Sequence, residues 1–242
     1  EGAKAYQVAV NLNGNWQPAK TGVLPEAVNE ALSGSVAWDG KVGIDLPYHA
    51  GATYNIELNG DLKNVSSHLP SPLAKPAGEP LAVNVKVDGN LNSFDLTGQA
   101  GADNHFNSRW LLGQKLTLDR AIWAADSKTL PPLPEQSGVE LNMPPMNGAE
   151  WLALFQKGAA ESVGGAASFP QHITLRTPML SLGNQQWNNL SIVSQPTANG
   201  TQVEAQGREI NATLAMRNNA PWLANIKYLY YNPSVAKTRG DS

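Results

Sequence analysis

Apolar and polar residues alternate along this chain in short runs from one end to the other. Tyr54-Asn55-Ile56-Glu57-Leu58-Asn59, Ala82-Val83-Asn84-Val85-Lys86-Val87-Asp88 and Ile210-Asn211-Ala212-Thr213-Leu214-Ala215-Met216-Arg217 show the pattern most cleanly. Successive side chains of a strand point to opposite faces, so each run builds one apolar face and one polar face. The alternation predicts strands near 5–12, 34–39, 41–48, 52–62, 81–89, 91–100, 103–111 and 115–125. Further strands follow near 137–143, 171–177, 185–194, 201–207, 208–217 and 223–231. Asp39-Gly40, Asp88-Gly89 and Asn199-Gly200 carry the chemistry of tight hairpins, and the strand spacing fits an antiparallel meander, sandwich or barrel. The expected fold is mainly β, with two or three short helices.

Two segments break the rhythm with helical signals. Pro25 to Leu32 opens on proline, ends at Gly34 and stacks Val28 on Leu32. Asn147 and Glu150 form an N-cap and capping-box pair, and Gly158 supplies a stop, which predicts a helix over 147–157. Trp151, Leu152, Leu154 and Phe155 make its apolar stripe, whose nearest available cover is the sheet. Pro70–Pro80 and Leu130–Gly138 are too rich in proline for interior strands and read as crossing loops. The second of these divides the chain into a first β unit over 1–130 and a second over 131–231, followed by a disordered tail over 232–242.

Composition narrows the chemistry. Charged residues are 15% of the 242, against about 25% in an average soluble domain, and the net charge is −3. That balance gives no basic footprint for nucleic acid. Cysteine is absent, which excludes disulfides, thiolate catalysis and cysteine metal sites. His49, His68, His105 and His172 are scattered without ligand spacing, and no P-loop, Gly-x-Gly-x-x-Gly or Gly-x-Ser-x-Gly motif occurs, so no metal or cofactor is implied. Glu57, Asp61, Asp95 and Asp119 fall where alternation or a turn places them in water, which argues against a pair of hydrolytic carboxylates. Trp110, Trp123, Trp151, Trp187 and Trp222 are spread over different elements, as core or edge packing would have them. Arg239-Gly240-Asp241-Ser242 matches an adhesion tetrapeptide short enough to recur by chance. No apolar run approaches the roughly 18 residues that span a bilayer, and a chain opening at Glu1 reads as a piece of something longer.

With the strands placed, a family likeness emerges. The run Leu58-Asn59-Gly60-Asp61-Leu62-Lys63-Asn64-Val65, followed by Ser67-His68-Leu69-Pro70-Ser71-Pro72-Leu73-Ala74-Lys75-Pro76-Ala77-Gly78, resembles a recurring signature of the AsmA-like superfamily. Val139-Glu140-Leu141 and Met146-Asn147-Gly148-Ala149-Glu150-Trp151-Leu152 resemble that family's strand-to-helix passage, and Glu209–Leu214 and Tyr228–Tyr231 its late strands. The likeness runs from about Tyr6 to Tyr231. It implies an elongated, strongly curved antiparallel sheet of repeated units forming an apolar groove. It also implies a periplasmic role, guiding phospholipid from the inner toward the outer membrane, and anchorage through a segment of the same long chain absent here. It names no protein partner at either membrane.

If the apolar face is such a groove, alternation assigns Tyr54, Ile56, Leu58, Val83, Val85 and Val87 to it. Leu116, Leu118, Ile122, Ile173 and Leu175 join them, as do Ile210, Leu214, Met216, Ile226, Tyr228 and Tyr230. None is expected to be catalytic, because nothing covalent need happen. The residues leave a second reading open: the same face closes on itself as a β-sandwich, and the chain is a secreted module that binds carbohydrate or protein.

Overall fold

The alternating runs form strands, and almost all of them join one sheet. The computed structural model describes residues 6–20, 26–159, 167–231 and 233. Its first half contains β1 (Tyr6–Trp16), α1 (Glu26–Ala31), β2 (Leu32–Ser33), β3 (Val36–Leu46), β4 (Thr53–Asp61) and β5 (Ser66–Ser67). β6 (Ala82–Asn90), β7 (Ser93–Ala100), β8 (Asn104–Leu112) and β9 (Leu116–Ala124) follow as a meander. β10 (Gly138–Asn142), β11 (Met146–Asn147), α2 (Gly148–Ala159) and β12 (Ala167–Ser168) make the central passage. β13 (Ile173–Leu182), β14 (Gln185–Thr197), β15 (Gly200–Gln206), β16 (Ile210–Arg217) and β17 (Leu223–Leu229) complete the chain.

The main sheet runs β1-β3-β4-β6-β7-β8-β9-β10-β13-β14-β15-β16-β17, with β11 and β12 attached at β13 and β9. Thirteen strands at about 4.8 Å spacing make a path of roughly 58 Å. β1 and β17 each pair on one side only, so the sheet does not close. Neighbours are antiparallel except at β10, which lies parallel to both β9 and β13, and at the short β11 and β12 pairings. A parallel neighbour requires a crossover. α2 supplies one, between β10 and β13. The proline-rich segment 125–137 supplies the other, returning along β8 and β9 where Asn107 Nδ2 donates to Pro131 O (3.0 Å) and Arg120 donates to Pro134 O (3.1 Å).

Two of the three expected hairpins are not turns. Residues 34–48 contain one long strand, β3, in which Asp39 pairs with Asn13 and Asn59 while Gly40 lies between Leu12 and Leu58. A Cβ on Gly40 would stand 2.6 Å from Leu58 Cδ2, so this glycine makes room for a neighbouring side chain. Gly89 does the same beside Phe94, and the turn falls two residues later, where Asn90 Oδ1 accepts from the amides of Asn92 and Ser93. The third expectation holds: Thr197 pairs with Gly200 across a two-residue turn at Ala198 and Asn199.

α2 begins as the sequence indicates, with Asn147 Oδ1 accepting from the amides of Ala149 (3.1 Å) and Glu150 (3.4 Å). Trp151 joins the small core of Ala125, Met143 and Met146, together with Trp123, Leu141, Leu175 and Leu180, while Leu152 points to solvent. The Phe155 side chain, the start of the helix expected from Pro25 and the 239–242 tetrapeptide lie outside the described residues, as does all of the expected tail 232–242 except Pro233. The strands on either side of Leu130–Gly138 share the one sheet through the β9/β10 pairing. No second sheet packs over that one among the described residues, since the other sheet is only the two-stranded β2–β5 pair. The closed sandwich is therefore not formed.

Candidate apolar groove

Strand register decides which side chains share a face. On β3, β4, β6 and β7, Val42 lies opposite Ile56, Ile56 opposite Val87, and Val87 opposite Leu96. Gly40, Leu58, Val85 and Gly98 form the next row. Phe94 and Trp110 stack at 6.1 Å between ring centroids, and Phe106 lies over Gly98, where an added Cβ would meet its ring at 2.0 Å. Across the centre, Phe106 faces Trp123, Trp123 faces Leu141, Leu141 faces Leu175, and Leu175 faces Ile192. The row continues through Ala205 and Ala212 to Ile226. One apolar face thus crosses all thirteen strands.

The opposite face is polar and held by its own bonds. Asn84 Nδ2 donates to Asn59 Oδ1 (2.7 Å) and Glu57 Oε1 (3.1 Å) across β4 and β6. Arg109 grips Asp95 through two hydrogen bonds of 2.8 and 3.0 Å. The Ser137 hydroxyl, donating at 2.5 Å, and the Arg120 guanidinium hold the Asp119 carboxyl below the usual carboxylate range. No group of three or more His, Cys, Asp or Glu residues with metal-holding geometry occurs among the described residues.

Of the residues assigned from sequence, Tyr54, Ile56, Leu58, Val83, Val85, Val87, Leu116, Leu118, Ile173, Leu175, Ile210, Leu214, Met216 and Ile226 share the apolar face by register. Ile122, Tyr228 and Tyr230 do not. Between β8 and β9 the register slips, Arg109 pairing with Arg120 but Trp110 with Leu118, so Asp119 is an extra residue. That bulge reverses the parity of β9 and turns Ile122 toward the 125–137 crossover, where it is 6% exposed. A second slip pairs Ala212 with Ile226 but Asn211 with Tyr228, making Lys227 the extra residue. Tyr228 then faces the polar side, donating to Gly207 O at 2.6 Å and stacking with Tyr230 at 5.4 Å. The alternation also extends to residues not assigned to the groove: Val8, Val10 and Leu12 of β1, Val36 and Trp38 of β3, and the aromatic rings of β7 to β9.

The face is covered only in patches. No large side chain of the described residues falls below 2% exposure. Val8, Val10 and Leu12 remain more than 40% exposed at one end, and Ile226 is 55% exposed at the other. Trp16, Val36, Trp38, Leu58, Leu62 and Val85 border an apolar hollow of about 340 Å³. The arrangement offers surface to an apolar ligand.

A family model described as YhdP protein matches residues 2–242. The intermembrane phospholipid transporter YhdP of Escherichia coli (strain K12) is 99% identical over all 242 residues, which span 19% of that protein's length. No solved structure matches the chain. With a family-model match over nearly every residue and a near-identical relative, the chain belongs to the YhdP protein family.

Proposed function

We propose that this chain is a non-enzymatic segment of a bridge for phospholipid, shielding acyl chains on its apolar face as they pass between the inner and outer membranes of a Gram-negative envelope. The observation that carries the reading is a continuous apolar face, thirteen strands long, left largely open to solvent. Taking a phospholipid through water costs about 0.8 kcal/mol per methylene, or above ~20 kcal/mol for two chains of roughly 30 methylenes in all. A trough of Val, Ile, Leu and aromatic side chains removes much of that cost. Its polar back keeps the segment wetted, and the period of two repeats both faces over any length. The name of the E. coli relative supports phospholipid as the cargo. In this reading the two β units act in series, and a segment elsewhere in the longer chain holds the protein at the inner membrane.

The test is a photoreactive residue placed at Val85 or Ile56 on the apolar face and at Lys86 or Glu57 on the polar one. Irradiation in membranes should yield adducts of phospholipid mass from the first pair alone. Equal adducts from both pairs, or none from either, would refute the proposal.

A further inference from the structure

The loop joining β4 to β6 forms a strap over the apolar face. Asp61 Oδ1 pinches its base by accepting from the amides of Lys63 (2.9 Å) and Leu81 (3.0 Å), and Gly78 N donates to Lys63 O (2.7 Å). Midway, β5 pairs with β2, and Ser67 exchanges backbone bonds with Lys75. Its tip is tied to α2, where Trp151 Nε1 donates to Ser71 O at 3.0 Å. Strap and sheet flank a half-open cavity of about 550 Å³, with Leu62, Leu69, Leu73 and Leu81 from the strap and Phe106 and Trp123 from the sheet. This volume is within the span of roughly 300–1,000 Å³ typical of small-ligand sites.

Two further observations point to an occupant. Leu62 borders both this cavity and the hollow over Leu58 and Val85, so the two are neighbours on the same face. The lining is apolar apart from a few polar groups, among which Lys75 and Glu79 carry charge. The Lys75 ammonium donates to Val65 O and Pro76 O at 2.9 Å each, which leaves its third proton for another acceptor.

We infer that the strap cavity is a station for one fatty acyl chain, continuous with the open face past Leu62, with the chain's anionic head meeting Lys75. A phosphodiester and a free fatty acid carboxylate share this chemistry. The inference rests on the groove reading and adds to it a discrete site where a passing chain is flanked by the strap on one side and the sheet on the other.

The experiment uses the intact protein in native membranes, with a photoreactive phenylalanine at Phe106, at Val85 or at Lys86, and mass analysis of the adducts. The expected result is an acyl-bearing adduct from Phe106 and from Val85 and none from Lys86, its mass distinguishing phospholipid from free fatty acid. Adducts from Val85 without any from Phe106 overturn the station and leave the groove standing; adducts from neither overturn both. Leu73→Trp, which fills the cavity from the strap side, should lower the Phe106 yield at least fivefold while Val85 keeps its adduct. An undiminished Phe106 yield in that variant overturns the station. Lys75→Gln, which removes the positive charge, should lower the Phe106 yield at least threefold; an unchanged yield removes the head contact.

Discussion

Val85→Asp separates an open face from a closed core. Val85 stands in the middle of β6 between Leu58 and Gly98, is half-buried, and borders the 340 Å³ hollow. Full burial of a valine side chain contributes about 1.5–3 kcal/mol, so a half-buried one contributes about 1 kcal/mol. The new carboxylate can stay hydrated in the hollow and adds little to that loss. At about 2–4 °C per kcal/mol for a chain of this size, the melting temperature should fall by only a few degrees. The effect on lipid should be larger. A hydrated charge that displaces about three methylenes from contact forfeits roughly 2.4 kcal/mol, which is about fiftyfold in occupancy. Thermal denaturation and acyl crosslinking from Ile56 measure the two effects on the same protein. In a closed core the carboxylate would instead cost several kcal/mol and unfold the sheet. Global unfolding, or a folded variant with undiminished crosslinking, would refute the reasoning.

Three other outcomes follow from the same geometry. Ile122→Ala should destabilise the fold by about 3 kcal/mol, because Ile122 is buried on the polar side beneath the 125–137 crossover, and a photoreactive group there should capture no lipid; urea denaturation and crosslinking check both. Asp119 has a folded-state pKa below its unfolded value of about 3.9, so its stabilisation is present above that pH and is lost as pH falls through the folded value. Ser137→Ala should therefore lower the urea midpoint at pH 6, by about 1 kcal/mol in stability, and the gap from wild type should vanish in strong acid. Trp151→Phe removes the bond to Ser71 O and should cost about 1 kcal/mol, with faster hydrogen exchange in the strap and unchanged exchange in β14 to β16, measured by mass spectrometry.

Much of the fold was legible because strands write their faces into sequence with a period of two. The runs at 54–59, 82–88 and 210–217 form strands and place Tyr54, Ile56, Leu58, the three valines, Ile210, Leu214 and Met216 on one shared side. The N-cap at Asn147 likewise marked α2 through chemistry confined to four residues. Where the reading failed, the deciding information was nonlocal. Gly40 and Gly89 carry turn chemistry in isolation, yet each is a strand residue fitted under a neighbour's side chain. The parallel setting of β10 depends on where two crossovers return, which the local period does not register.

Alternation along the chain determined a β protein with a greasy side and a wetted side, since side-chain direction in a strand follows from covalent geometry alone. Only the tertiary structure decided which residues occupy the greasy side from end to end. One extra residue in a pairing, Asp119 in β9 or Lys227 in β17, reverses every later side chain on that strand, and this is why Ile122 and Tyr228 turn away. The tertiary structure also decided that the face stays largely open and that a strap crosses part of it. Both depend on what approaches the sheet from distant parts of the chain, and no local pattern encodes that approach.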